Sequence, residues 1–223
     1  MNLPGPVEAV ILDMDGTLHD TEGVYHSALM RAVAAVGFSV SEEFCDRLIG
    51  IPGKETDQMI REHLGPAFPF DEYDRRYAEH CELLLGEGIG LKPGALALLD
   101  HLAESGLPRA IATSASRRAA GLHLERSGLA RHFDVVVTRD DVARGKPYPD
   151  IYLEASRRLG VAAERCLAVE DSFNGIRAAH AAGMMTVMVP DRLAPSAEMR
   201  AVCACIARDL DEVRGLLALG ADR

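Results

Sequence analysis

Four short polar clusters in this chain hold side chains able to do chemistry. Asp13-Met14-Asp15-Gly16-Thr17 sets two carboxylates one residue apart, directly after an apolar run that ends at Leu12. Thr113-Ser114 closes a second apolar run, Lys146-Pro147 follows a third, and Glu170-Asp171 closes Leu167-Ala168-Val169. Carboxylates at the end of a buried run are costly unless something neutralises them. Pooled, the clusters offer four carboxylates, one ammonium and two hydroxyls. Hard oxygen donors of this kind suit Mg²⁺, which takes one or two protein carboxylates and shares its remaining positions with water and a substrate phosphate. An anionic nucleophile that approaches a phosphate to about 4 Å meets a repulsion of roughly 1 to 4 kcal/mol, depending on the local dielectric. A divalent cation and Lys146 would offset it, so the donor set points to phosphoryl transfer. Singly, each cluster has a structural alternative: a turn, a helix cap, a surface charge, a solvated loop. The clusters can act jointly only if the fold brings them together.

The elements that must do so can be read from the apolar pattern. Five short runs rich in β-branched residues, Val7–Leu12, Arg109–Thr113, Val135–Thr138, Cys166–Glu170 and Met184–Val189, have the length of buried strands. Helical stretches at Ser116–Ser127, Asp150–Leu159 and Asn174–Ala182 alternate with the last four, and glycines 128, 160 and 183 follow them. This alternation predicts a parallel sheet with crossover helices, an α/β fold in which ligands bind beyond the carboxyl ends of the strands. All four clusters fall there. Residues 20–90 differ: they hold amphipathic patterns at Thr21–Val36, Glu42–Ile49, Lys54–Leu64 and Asp71–Leu85, with no strand signal. The expected organisation is an α/β core of residues 1–19 and 91–223 with a helical module, 20–90, inserted after the first strand. Ala95–Ser105 reads as the helix leading back into the core, and Cys203-x-Cys205 as a minor late strand.

Bulk properties exclude several function classes. Among 223 residues, 48% are hydrophobic and 26% charged, as in ordinary globular domains. The net charge of −10, with no basic block, argues against a nucleic-acid partner. The apolar run near the N-terminus reaches Asp13 too soon for a signal peptide or a membrane span. Five cysteines, odd in number and without a C-x-x-C pair, suggest reduced thiols and a cytoplasmic protein rather than a disulfide framework or zinc site. No a/d seam is visible in the module helices, which leaves a monomer or a small homo-oligomer open.

The four clusters, in order, resemble the motifs of the haloacid dehalogenase superfamily, specifically the branch with a helical cap after the first strand, which includes β-phosphoglucomutase and small-molecule phosphatases. The resemblance covers nearly the whole chain, including Asp20-Thr21-Glu22 at the entry to the cap. It implies a Rossmann-like core and a small phosphate ester as substrate. It further implies Asp13 as the nucleophile that becomes an aspartyl phosphate, and Asp15 as the acid, then base, of the two half-reactions. Asp13 and Asp171 would bind Mg²⁺ through their carboxylates, the Asp15 backbone carbonyl would join them, and Glu170 would do so directly or through water. Thr113 and the Ser114 amide would hold phosphate oxygens, and Lys146 would tie the nucleophile to the phosphoryl group.

The same resemblance sorts the branch. Its dehalogenases lack the second aspartate, so Asp15 speaks against carbon–halogen cleavage. The mutase carries a histidine in the first cap helix where this chain has Tyr25, with His26 beside it, which favours a phosphatase over a hexose-phosphate mutase. Phosphonate-cleaving relatives use a cap lysine, and the surroundings of Lys54 do not match theirs. The stretch Ile49-Gly50-Ile51-Pro52-Gly53-Lys54-Glu55 resembles the loop that relatives close over substrate. A binding protein that keeps the fold without turnover is disfavoured, because every catalytic position is filled.

Overall fold

A computed structural model describes residues 3–48, 51, 53–86 and 88–221. The chain forms two compact units, one made of residues 1–20 and 90–223, the other of residues 21–89.

The first unit is built on six strands: β1 (Ala9–Leu12), β2 (Arg109–Ala112), β3 (Val135–Val137), β4 (Cys166–Glu170), β5 (Met185–Met188) and β6 (Cys205–Ile206). All pair in parallel in the order β3-β2-β1-β4-β5-β6. The strand order reverses between β1 and β4, so this sheet has its switch point where the first and fourth polar clusters emerge. Alternation along the strands sends Val10, Leu12, Leu167 and Val169 to one face and Ala9, Ile11, Cys166 and Ala168 to the other.

Ten helices are described. Those of the second unit are α1 (Glu22–Ala35), α2 (Glu42–Asp46), α3 (Gly53–Leu64) and α4 (Phe70–Gly86). Those of the first are α5 (Ala95–Glu104), α6 (Arg117–Arg126), α7 (Asp150–Leu159), α8 (Phe173–Ala181), α9 (Ala197–Val202) and α10 (Leu210–Ala221). The Val10 face of the sheet buries apolar residues of α5, α6 and α10, the Ala9 face those of α7 and α8. That second face is paved with Ala9, Ala110, Ala112 and Ala168, whose small side chains leave room for Ile151 and the large ring of Tyr152, both fully buried.

In the second unit α1 packs on α4 around Leu29, Val33, Phe44, Ile60, Phe68, Phe70 and Tyr73. The chain leaves the first unit and returns to it through two segments that pair: Asp20 N–H donates to Gly90 O, and Lys92 N–H to Leu18 O, each at 2.9 Å.

Most expected elements fall within a residue or two of those observed, and two differ. The helix expected over Glu42–Ile49 ends at Asp46, because the Arg47 and Leu48 amides bond three residues back, to Phe44 O and Cys45 O, tightening the turn. The late strand covers Cys205–Ile206, while Cys203 caps α9. Helices α9 and α10 were not anticipated. The loop stretch at 49–55 lies partly outside the described residues.

Candidate active site

Asp13 is delivered by the ladder itself: its amide donates to Val169 O at 3.0 Å, one rung past the last residue of β1. Glu170 is the last residue of β4 and Asp171 follows it, so the two clusters leave neighbouring strands side by side. All three carboxylates are nearly closed off, at 6, 0 and 8% exposure, and each presents an oxygen within 4.8 Å of the others. Lys146, 133 residues from Asp13 in the chain, places its Nζ 2.5 Å from Asp13 Oδ1 and 2.5 Å from Glu170 Oε1.

Glu170 is held from every side. Its Oε1 accepts from Lys146 and from the Tyr152 hydroxyl at 3.0 Å. Its Oε2 accepts from the Asp171 amide at 3.0 Å and from the Ser172 amide and hydroxyl at 2.9 Å each. The Ser172 hydroxyl in turn accepts from the Gly175 amide at 3.0 Å, which caps α8. The helix can start this close only because residue 175 has no Cβ; a methyl there would overlap the Glu170 carboxylate. Asp171 accepts a hydrogen bond from the fully buried Thr17 hydroxyl at 3.0 Å. Gly16, at φ +86°, passes so near Asp171 that a side chain would collide with it.

The charges do not balance. Burial pushes the Asp13 carboxyl well above the usual carboxylate range; Lys146 pulls it down, and Glu170 and Asp15 push it further up. Burial would lower the Lys146 ammonium, but Asp13 and Glu170 outweigh it, so Lys146 stays charged. Tyr152 is held above its ordinary value by burial, then by Glu170 and Asp13, and so remains a donor. One ammonium thus faces three buried carboxylates, a deficit of positive charge that a divalent cation would fill. The donors are hard oxygens, on Asp13 and Asp171 in the first place, since Glu170 already accepts five hydrogen bonds. The residues fit Mg²⁺.

Thr113 extends β2: its amide donates to Val137 O at 3.0 Å and its Oγ1 accepts from the Ala115 amide at 3.0 Å, which leaves the hydroxyl proton to give away. Ser114 beside it is exposed. The Asp15 carboxylate, 21% exposed, groups with His19 and His123. Burial, opposed by Asp15 and reinforced by His123, lowers the His19 pKa to about 4. Tyr152, Thr17, Gly175 and His123 escaped the sequence reading. Tyr152 and Gly175 sit among apolar helical residues that give no cue to their role, whereas Thr17 already stood inside the first motif. A cavity of about 260 Å³ near Leu107, Arg109 and Asp134 lies at the amino ends of β2 and β3, at the opposite edge from these groups.

A parallel α/β sheet whose switch point gathers buried carboxylates around one ammonium places its polar groups where open α/β sheets bind ligands. Residues 10–189 match the model of the haloacid dehalogenase-like hydrolases, and the chain belongs to that family. It is a phosphoric monoester hydrolase. The chain is 35% identical over 178 residues to the phosphorylated carbohydrates phosphatase of Thermotoga maritima, a match that spans 80% of this chain and 82% of the relative. It is 36% identical over 182 residues to hexitol phosphatase A of Escherichia coli (strain K12), spanning 80% and 81%. The crystal structure of CbbY from Rhodobacter sphaeroides in complex with phosphate superposes with a TM-score of 0.82 at 32% identity, covering 97% of this chain and all of that one.

Proposed function

We propose that this protein is a Mg²⁺-dependent phosphatase of small phosphorylated metabolites, sugar phosphates or phosphoglycolate among them, which works through an aspartyl phosphate on Asp13. The observation that carries the reading is the 2.5 Å contact from Lys146 Nζ to Asp13 Oδ1, shared with Glu170 and set beside Asp171. It fixes one oxygen of a buried carboxylate and leaves the other to attack.

In the first half-reaction an Asp13 oxygen forms a bond to phosphorus while the ester bond breaks, and Asp15 gives its proton to the departing alcohol. In the second, water attacks the phosphorus, Asp15 takes the water proton, and the acyl-phosphate bond breaks to release inorganic phosphate. Lys146, the Thr113 hydroxyl and the Ser114 amide neutralise and orient the phosphoryl oxygens. Asp13, Asp171 and the Asp15 carbonyl would hold Mg²⁺, which supplies charge neutralisation at the transferring group. Glu170, committed to five donors, fixes Lys146 and would reach the ion through water. The helical module, 20–90, acts as a cap that selects among esters. The relatives' names support a phosphorylated carbohydrate as substrate class. No disulfide joins the five cysteines, which is consistent with a cytoplasmic enzyme, and among the described residues no helix is long and apolar enough to cross a membrane.

The test is phosphate release from a panel of sugar and glycolate phosphates with Mg²⁺, for the parent and for Asp13→Asn. The variant is expected to lose turnover by about 10⁴-fold or more while keeping its circular dichroism. Unchanged turnover would remove Asp13 as nucleophile, and an isomeric sugar phosphate in place of free phosphate would replace the phosphatase reading with a mutase.

A further inference from the structure

His19 leaves the turn that carries Asp13 and Asp15, and His123 lies on α6. Both are buried, at 0 and 3% exposure, with their rings edge to face and centroids 6.3 Å apart. The Ser127 hydroxyl donates to Leu124 O at 3.2 Å, so its oxygen accepts the Nε2–H of His19 at 2.9 Å. That bond fixes the tautomer: the proton is on Nε2, and Nδ1 carries a bare lone pair. Among the described residues His19 Nδ1 and His123 Nδ1 both lack a hydrogen-bond partner, although buried. Each orphan costs about 1 to 3 kcal/mol and calls for an explanation.

The same two imidazoles and the Asp15 carboxylate each place a ligand atom within 4.8 Å of the others. His123 Nδ1 stands 3.4 Å from Asp15 Oδ1, and the edge of a tetrahedron with bonds of 2.0 to 2.1 Å is about 3.4 Å. Two imidazole nitrogens with one carboxylate suit a borderline ion such as Zn²⁺, whereas the all-oxygen cluster at Asp13 and Asp171 suits Mg²⁺. The His19–Ser127 bond is the outer hydrogen bond that metal-bound histidines usually make. Asp15, partly exposed, gives the ion a way in.

We propose that Asp15, His19 and His123 form a second cation site, selective for zinc-like ions and separate from the Asp13–Asp171 cluster, and that filling it withdraws the Asp15 carboxylate from proton transfer. The binding stands on geometry alone; the inhibition rests on the role proposed above for Asp15.

The experiment titrates Zn²⁺ against a chelating dye in excess Mg²⁺. The parent protein and Asp171→Asn should each bind one Zn²⁺ per chain. His19→Gln and His123→Gln should weaken that binding by at least about 100-fold, the upper range for loss of even an outer partner. Circular dichroism checks that they fold, and Asp15→Ala, at a partly exposed position, removes a ligand without touching the fully buried packing. Absence of uptake by the parent, uptake indifferent to all three variants, or uptake abolished by Asp171→Asn would each overturn the site. Phosphate release is then followed with Zn²⁺: inhibition of the parent that is relieved in His123→Gln supports the linkage. Zn²⁺ uptake without inhibition would leave the site standing and remove Asp15 as proton carrier.

Discussion

The two units of this protein hold themselves together by different means. Of the eleven Phe and Tyr residues, seven fall within residues 21–89 and four in the much longer remainder. The sheet unit needs few rings, because its strands are tied by ladder hydrogen bonds and its α7 face is paved with alanines. The helical unit has no ladder between its helices and relies on large side chains instead. Phe68 is its hub, 5.2 Å from Phe38, 5.3 Å from Tyr73 and 6.3 Å from Phe70 between ring centroids. Stability in one region is spread over many small contacts and in the other concentrated in a few rings, so the two should respond differently to truncation.

Phe68→Ala should produce the largest stability change, a loss of about 3 to 5 kcal/mol, and hydrogen exchange should accelerate in residues 21–89 with little change in the sheet strands. Equal acceleration in β1 and β4 would break the comparison. A smaller effect is expected in the sheet unit at Asp141. Burial alone would raise this carboxyl, but the Thr138 hydroxyl, Arg158 and the Thr138 amide hold it well below the ordinary range. Its contribution is therefore present above the unfolded pKa of about 3.9 and is lost as pH falls through the lower, folded value. Asp141→Asn should cost about 1 to 3 kcal/mol at neutral pH and flatten the acid limb of urea unfolding; an unchanged acid limb would exclude Asp141 as its source. The smallest effect belongs to Tyr152→Phe, about 1 kcal/mol, since Glu170 keeps four other donors. A loss as large as that of Phe68→Ala would show that the sheet unit also hangs on single rings.

The contrast also explains what the sequence made legible. Strands β1 to β5 were readable to within two residues, because a buried parallel strand is a short β-branched run with a polar stop. The residues gathered at Lys146 were readable for the same reason: each stands where such a run ends. Tyr152, which donates to Glu170 from the middle of α7, looks in sequence like any core aromatic, and its role depends on a contact across 18 residues. Gly175 is equally silent, since what matters is the Glu170 carboxylate beside it. His123 shows no ligand spacing along the chain and meets Asp15 only through the fold. Helix α10 does carry an apolar spacing at Leu210, Val213, Leu216 and Leu217, but Gly215 interrupts it, and no polar cluster drew attention there. The shortness of α2 was hidden as well, because a tightened last turn leaves no mark in composition.

The hydrogen bond that the Asp13 amide donates to Val169 O has a mechanical meaning. It makes the spacing between the Asp13 carboxylate and Asp171 a property of adjacent rungs, set by the ≈ 4.8 Å repeat of a sheet, whatever the loops beyond do. Loops and inserted helices can lengthen, shorten or change composition while this ruler keeps its graduations, so retargeting the protein to another ester is an exercise in redesigning surroundings around a fixed gauge.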